Sequence, residues 1–424
     1  MFSGVRAFQA GPELPTTQNI WISPSVPGTP APFDRDGYFV GLALSGGGSR
    51  SANFAAACMF QLERLGLLQK VDYISAVSGG SLPAAYYCSH DREWNPANVQ
   101  KVLTHSFASD LIGQGMLPWN WLAFLFTDWD RSDVLAGIFR NVLFTQDGHE
   151  LTFADLRADR PRLLINTTDL QSGRRLVYSN ESFDQLNSDL AKYPLAYAVA
   201  ASSSIPVVLH PVTLRDYSTR FPQYRHVIDG GITDDLGVES LLDAYSGQLA
   251  AAKSAGHADP YPNGAVFIVV DAGTRFNAEL SSESDVGALE NLKIGAALTT
   301  KSMIRRVSLA NMSDLIVRGA ADKLTAKELR ADISQLIDTG YLSMEDIHGH
   351  NVRVIHLSLG QVNELQNLPF ENFSTSLNNI GTYFNITDRE AYRLIQAVGL
   401  PVGDVEVRAD VVEARAEVLE GQVL

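Results

Sequence analysis

The sequence predicts an α/β fold built on a mainly parallel sheet. Two features predict it. An apolar strand, a glycine turn and a helix follow one another twice in succession. Much later, Ala265 to Asp271 (AVFIVVD) reads as a strand covered on both faces, as parallel strands are.

The first unit opens with Tyr38-Phe39-Val40-Gly41-Leu42-Ala43-Leu44 and stops at Ser45-Gly46-Gly47-Gly48-Ser49-Arg50. From Ser51 to Leu68, Phe54, Cys58, Leu62 and Leu65 recur at helical spacing, with Gly66 as a soft stop. The second strand, Tyr73 to Val77, runs into Ser78-Gly79-Gly80-Ser81. Leu82 to Cys88 then reads as a helix with Pro83 in its first turn. Residues 92–160 turn helical and aromatic. Strands resume at 162–166 and 175–178, an Ala-rich helix spans Leu195 to Ser202, and another strand ends at Asp229. Beyond Asp271, residues 283–340 read as mostly helical and Val352 to Leu357 as a strand. Thr387 to Val398 reads as a helix with a Thr387/Glu390 capping box. The expected organisation is an irregular leader (1–37), a core (38–275) with a helical insertion (92–160), and a mostly helical C-terminal extension (276–424) packed on the core.

The 424 residues are 45% hydrophobic and 19% charged, which excludes a wholly disordered chain. Thirty-three Lys and Arg against 48 Asp and Glu leave a net charge of −15. Such a polyanion suits neither nucleic acid nor tight electrostatic docking on anionic membranes. Cys58 and Cys88 are too few for a disulfide framework or a four-thiolate zinc site, and Cys58 sits in an alanine-rich apolar run. No signal-peptide h-region opens the chain, and the uncharged stretch Leu111 to Thr127 is shorter than a membrane span. A cytoplasmic or peripheral-membrane location is therefore expected over an integral-membrane one, with secretion by a non-classical route or after loss of a leader as the alternative.

Three turns carry chemistry. Ala76-Val77-Ser78-Gly79-Gly80 joins a strand to a helix, as a nucleophile elbow does, with small residues two before and two after the serine. Ser75 lies inside the strand and Ser81 suits the helix N-cap, so only Ser78 stands at the apex. Gly46-Gly47-Gly48-Ser49-Arg50 suits either a nucleotide pyrophosphate or a tetrahedral oxyanion. Ser51 and the lack of a carboxylate after the second strand depart from a dinucleotide fingerprint, and no Lys-Ser/Thr pair follows the glycines as in a phosphate loop. Asp229-Gly230-Gly231 puts a carboxylate at a strand end, as a base or as a turn residue. A catalytic histidine is the rival: His257, His348, His350 and His356 follow Asp229, and His226 precedes it. His348-Gly349-His350 lacks a third metal ligand.

Together the three turns resemble the patatin-like phospholipase family, over roughly residues 38 to 275. Asn166-Thr167-Thr168-Asp169-Leu170 with Gly173-Arg174-Arg175, Ala201-Ser202-Ser203-Ser204-Ile205-Pro206, and Asp229 to Gly237 (DGGITDDLG) are similar to further blocks of that family. The resemblance implies a three-layer α/β/α fold and hydrolysis of a lipid carboxylic ester, a (lyso)phospholipid first, through an acyl-serine. Ser78 is then the nucleophile, Asp229 the base, and the N–H groups of Gly46, Gly47, Gly48 and Gly79 the oxyanion donors. Arg50 steadies the loop or a substrate phosphate. Neither metal nor organic cofactor is implied, and the partner is a lipid or a membrane surface met peripherally. Acyl transfer, neutral-lipid hydrolysis and non-catalytic lipid binding are the alternatives.

Four positions depart from the family pattern: Ser45 stands for Asp, Ser51 for the last loop glycine, Ala76 for the first elbow glycine, and Asp235 for Asn. Asp235 is expected to raise the pKa of Asp229. The aromatic run Leu117 to Phe126 reads either as a buried helix or as a lid at the site mouth.

Overall fold

The computed structural model describes residues 36–115, 131–206, 209–219, 223–273, 306–321, 324–359 and 394. Strand β1 (Tyr38–Leu44) leads into helix α1 (Gly48–Arg64), and β2 (Tyr73–Val77) leads through a 3-10 turn at Ser78–Gly80 into α2 (Ser81–Ser89). Helices Pro96–Leu103, Phe107–Gly115 and Arg131–Val142 follow, then a two-stranded ribbon of β3 (Thr145–Gln146) and β4 (His149–Glu150). The next elements are β5 (Arg162–Asp169), β6 (Arg174–Tyr178), helix Leu195–Ser202, β7 (Val212–Asp216), β8 (Gln223–Asp229) and helix Val238–Ser254. Strand β9 (Gly264–Asp271), helices 306–319 and Ala326–Thr339, β10 (Tyr341–Glu345) and β11 (Asn351–Ser358) complete the described chain.

Nine strands form the main sheet, in the order β10-β11-β9-β1-β2-β5-β8-β7, with β6 also paired to β5. The five central strands, β11 to β5, run parallel; β6, β7, β8 and β10 join antiparallel.

Strand β1 shows why the apolar runs do not alternate. Phe39 and Ala43 enter one core with Leu241 and Tyr245, while Val40, Leu42 and Leu44 enter the other with Phe54 and Ala84. Both faces are covered by helices, so each residue is buried whichever way it points. The result is an α/β sandwich of three layers, and both cysteines are buried as free thiols.

Several expectations change. The sheet does not end with the proposed core at residue 275: β10 and β11 extend it within a region read as mostly helical, where only the strand at 352–357 was expected. Strand β7 was also unexpected, although Val212 and Leu214 alternate inward along it in the period-two signal of a half-buried strand. The leader, the aromatic run 117–126 and the Thr387/Glu390 capping box lie outside the described residues. Among the described residues, no helix is long and apolar enough to cross a membrane.

Candidate active site

The three turns meet at one end of the parallel strands. The glycine loop leaves β1 and the serine turn leaves β2, which pair in register from Gly41 with Tyr73 to Leu44 with Ala76. The aspartate arrives differently. Strand β8 enters the sheet antiparallel to β5 and stops with Asp229 opposite Thr167, one residue beyond Asn166, which pairs with Val77. An antiparallel strand that ends early thus delivers a carboxylate to the carboxyl end of its parallel neighbours.

Ser78 has φ of 50°, the left-handed region that a side chain normally avoids. Its Oγ donates to Asp229 Oδ2 at 2.9 Å, and Asp229 Oδ1 accepts the Gly231 N–H at 2.8 Å. Both residues are at most 7% exposed. Burial pushes the Asp229 carboxyl up to about 6, with the Gly231 and Ser78 hydrogen bonds opposing the shift. Asp235 is not what raises it, contrary to expectation; the repulsion between the carboxyls falls on Asp235, whose pKa is raised well above the usual range by burial and then by Asp271.

The glycines next to the serine are required by close approach. A Cβ on Gly79 would lie 2.0 Å from the Gly48 carbonyl oxygen, and one on Gly80 would lie 2.7 Å from that of Ser45. Elbow and glycine loop therefore press backbone on backbone. Gly47 and Gly48 have φ of 137° and 60°, which turn the loop from β1 into α1. Ser51, at the end of that loop, donates its hydroxyl to the Ser45 carbonyl. One expected donor is corrected: the Gly46 N–H is taken by the Asp235 carbonyl at 2.9 Å. Gly47, Gly48 and Gly79 are then the oxyanion candidates. Arg50, 6% exposed, donates Nε to the Ala272 carbonyl at 2.9 Å and so ties α1 to the end of β9. Burial lowers its pKa to about 10, against the pull of Asp235 and Asp271, and it stays charged at neutral pH.

The supporting residues went unassigned in the sequence reading. Ser202 Oγ accepts the Ser78 N–H at 2.8 Å and donates to the Asn166 carbonyl at 2.7 Å. Two residues on, the Ser204 carbonyl accepts the Asp229 N–H at 3.0 Å, so one turn grips the backbones of both residues. Thr168 Oγ1 donates to the Asp229 carbonyl at 2.9 Å. Asn166 Nδ2 donates to Ser75 Oγ at 2.9 Å and to the Ala76 carbonyl at 3.0 Å. The signal was present in the blocks around Asn166, Thr168 and Ser202; it lacked a physical reason until these bonds supplied one.

No histidine hydrogen-bonds Ser78 or Asp229 among the described residues, which include all nine histidines. His226 Nδ1 pairs with Thr213 Oγ1 at 2.9 Å, His350 lies between Tyr245 and Asp259, and His356 Nε2 lies 3.2 Å from Asp271 Oδ2.

The family model for patatin-like phospholipases matches residues 42–242. That span is a patatin-like phospholipase domain. Its boundary falls inside the Val238–Ser254 helix, so Asp271, Ala272, Ser308 and His356 lie beyond it although they pack behind the glycine loop. Among solved structures the chain is similar to human GIVD cytosolic phospholipase A2, at 12% identity and a TM-score of 0.48 over 91% of this chain and 60% of that one. VipD from Legionella pneumophila is similar at 12% identity and a TM-score of 0.28, over 85% and 67% of the two chains. The chain thus spans three-fifths of the length of the first of these. No curated protein matches it.

Proposed function

We propose that the chain hydrolyses a carboxylic ester of a lipid, a phospholipid or lysophospholipid first, through an acyl-serine made by Ser78 with Asp229 as the base. The observation that carries this reading is the 2.9 Å hydrogen bond from Ser78 Oγ to Asp229 Oδ2 at a serine held with φ of 50°. The patatin-like phospholipase match supports the lipid ester as substrate class.

In this mechanism Ser78 Oγ attacks the ester carbonyl carbon while its proton passes to Asp229 Oδ2. The tetrahedral oxyanion accepts hydrogen bonds from the N–H groups of Gly47, Gly48 and Gly79, with the start of α1 behind the loop. As the intermediate collapses, the C–O bond to the leaving alcohol breaks and Asp229 returns the proton to that oxygen. Water then repeats the sequence on the acyl-Ser78 and releases the fatty acid. Asp229 does the work elsewhere given to histidine, because burial lifts its proton affinity to about 6, close to neutrality, where an ionised base still has driving force to accept a proton. Activity is accordingly expected to fall with acid through about pH 6.

The test is labelling with a fluorophosphonate ester probe, followed by peptide mapping, on the wild type, Ser78→Ala and Asp229→Asn. The expected result is a single adduct on Ser78 that is lost in the first variant and slowed by about 10³-fold or more in the second. An adduct on another residue, or full-rate labelling of Asp229→Asn, overturns the reading.

A further inference from the structure

One buried carboxyl touches the site without a part in this chemistry. The backbone carbonyl of Asp235 holds the Gly46 N–H, and its side chain fills the space between two glycines. A Cβ on Gly46 would come within 2.7 Å of Asp235 Oδ1, and one on Gly231 within 2.8 Å of it. The same position on Gly231 lies 3.2 Å from Asp229 Oδ1, so the carboxyls of Asp235 and Asp229 both crowd the side of that glycine where a Cβ would stand. On its other oxygen, Asp235 Oδ2 is bonded to the Ser308 hydroxyl at 3.1 Å, from helix 306–319 beyond the family match.

Among the described residues, the groups facing Asp235 come from several elements. Arg50 approaches from α1, Asp271 from the end of β9, and Asp229 and Asp234 from its own turn. His356 of β11 acts through Asp271. Arg50 is shared between Asp235 and Asp271. Asp271 is pushed up by burial, but His356, the Gly273 amide and Arg50 more than offset this and lower its pKa, so it keeps its charge. Asp235 shifts the other way, its pKa held well above the usual carboxylate value by burial and by Asp271.

Resting on the Ser78–Asp229 reading, we propose that Asp235 is a positioning residue: its uncharged carboxyl wedges the glycine loop against the turn that carries the base, and loss of its proton shuts the reaction down at alkaline pH. Ionisation puts a negative charge beside the loop that receives the oxyanion, where a second negative charge is costly in a water-poor site. A dyad that needs only an ionised base has an acid limb in its rate profile and no alkaline one. An alkaline limb that Asp235→Asn removes or displaces is therefore the signature of Asp235.

The experiment compares kcat/KM for a short-chain soluble ester between about pH 5 and 10 for the full chain, Asp235→Asn and Asp235→Ala. Asn keeps the shape without the proton, and its alkaline limb is expected to vanish or move up by about one pH unit or more. Ala empties the wedge, and its kcat is expected to fall by about tenfold below the alkaline limb and to show no such limb itself. Urea unfolding gives an independent reading. A carboxyl with a raised folded-state pKa contributes stability that is lost as pH rises through that value, so Asp235→Asn gains most over the wild type at alkaline pH. Superimposable alkaline limbs in the wild type and Asp235→Asn overturn the proposal, as does a wild type with no alkaline limb. Fluorophosphonate labelling separates the two readings: no Ser78 adduct in the wild type overturns both, and labelling with superimposed profiles overturns this one alone.

Discussion

The two flanks of the site are built from opposite materials. On the β2–β5 flank, Ser78 and Asp229 are held by neutral groups: the hydroxyls of Ser202 and Thr168, the amide of Asn166, and the Ser204 carbonyl. On the β9–β11 flank, the glycine loop is backed by Arg50, Asp235 and His356, all buried, and by the partly exposed Asp271. Fixed dipoles hold geometry at any pH at which the protein folds, and being mutually satisfied they cost little to bury. Buried charges titrate, and each carries a desolvation cost that its partners must offset. The pair proposed to react thus sits among neutral hydrogen-bonding groups, while the loop proposed to receive the oxyanion rests on groups that titrate.

The largest expected effect lies at the seam between the flanks. Gly79→Ala drives a Cβ into the Gly48 carbonyl, displacing the loop and the elbow together. Its kcat/KM is expected to fall by about 10³-fold or more, with the chain still folded by circular dichroism. A loss below tenfold would mean that the seam yields easily and the flanks are not rigidly joined.

Next comes the neutral flank alone. Ser202→Ala leaves the Ser78 N–H and the Asn166 carbonyl buried without their shared partner. The expected result is a kcat lower by roughly 10- to 100-fold, KM little changed, and a pH profile of unaltered shape. A changed pH midpoint would break the contrast between the flanks.

The smallest expected effect sharpens the cost of charge. Asp229 is held by the neutral flank, and its folded-state pKa of about 6 exceeds the ordinary 3.8. The stability it contributes is present below 3.8 and lost as pH rises through about 6. At pH 8 the ionised form thus costs on the order of 3 kcal/mol, net of the Ser78 and Gly231 hydrogen bonds that oppose the shift. Asp229→Asn, though inactive, is expected to resist urea better than the wild type at pH 8 and to lose that advantage toward pH 4. Equal midpoints at both values would show that the base is not strained by its burial.

What could be read in advance differed from residue to residue. Ser78 was legible because an elbow constrains its immediate neighbours, and Gly80 shows that constraint as a contact with the Ser45 carbonyl. Strands β1, β2 and β9 were legible because burial on both faces leaves unbroken apolar runs. Asn166, Thr168 and Ser202 could be matched but not explained, since their partners lie on other strands. Gly46 was misassigned as a donor because its N–H is consumed by a carbonyl far along the chain. His356 and Ser308 gave no local sign of lying behind the glycine loop.

The amino-acid order by itself determined what is local: which segments are strands and helices, where glycines permit a left-handed turn, and which hydroxyl stands at a strand-to-helix apex. Neighbours a few residues apart decide those matters through sterics and hydrophobic spacing. Only the tertiary structure decided that β8 enters antiparallel and stops opposite Thr167, bringing Asp229 to a serine 151 residues away, and that β9 and β11 set a charged cluster behind the loop. Strand order and register follow from the packing of the whole sheet, and no short window of sequence contains that sum.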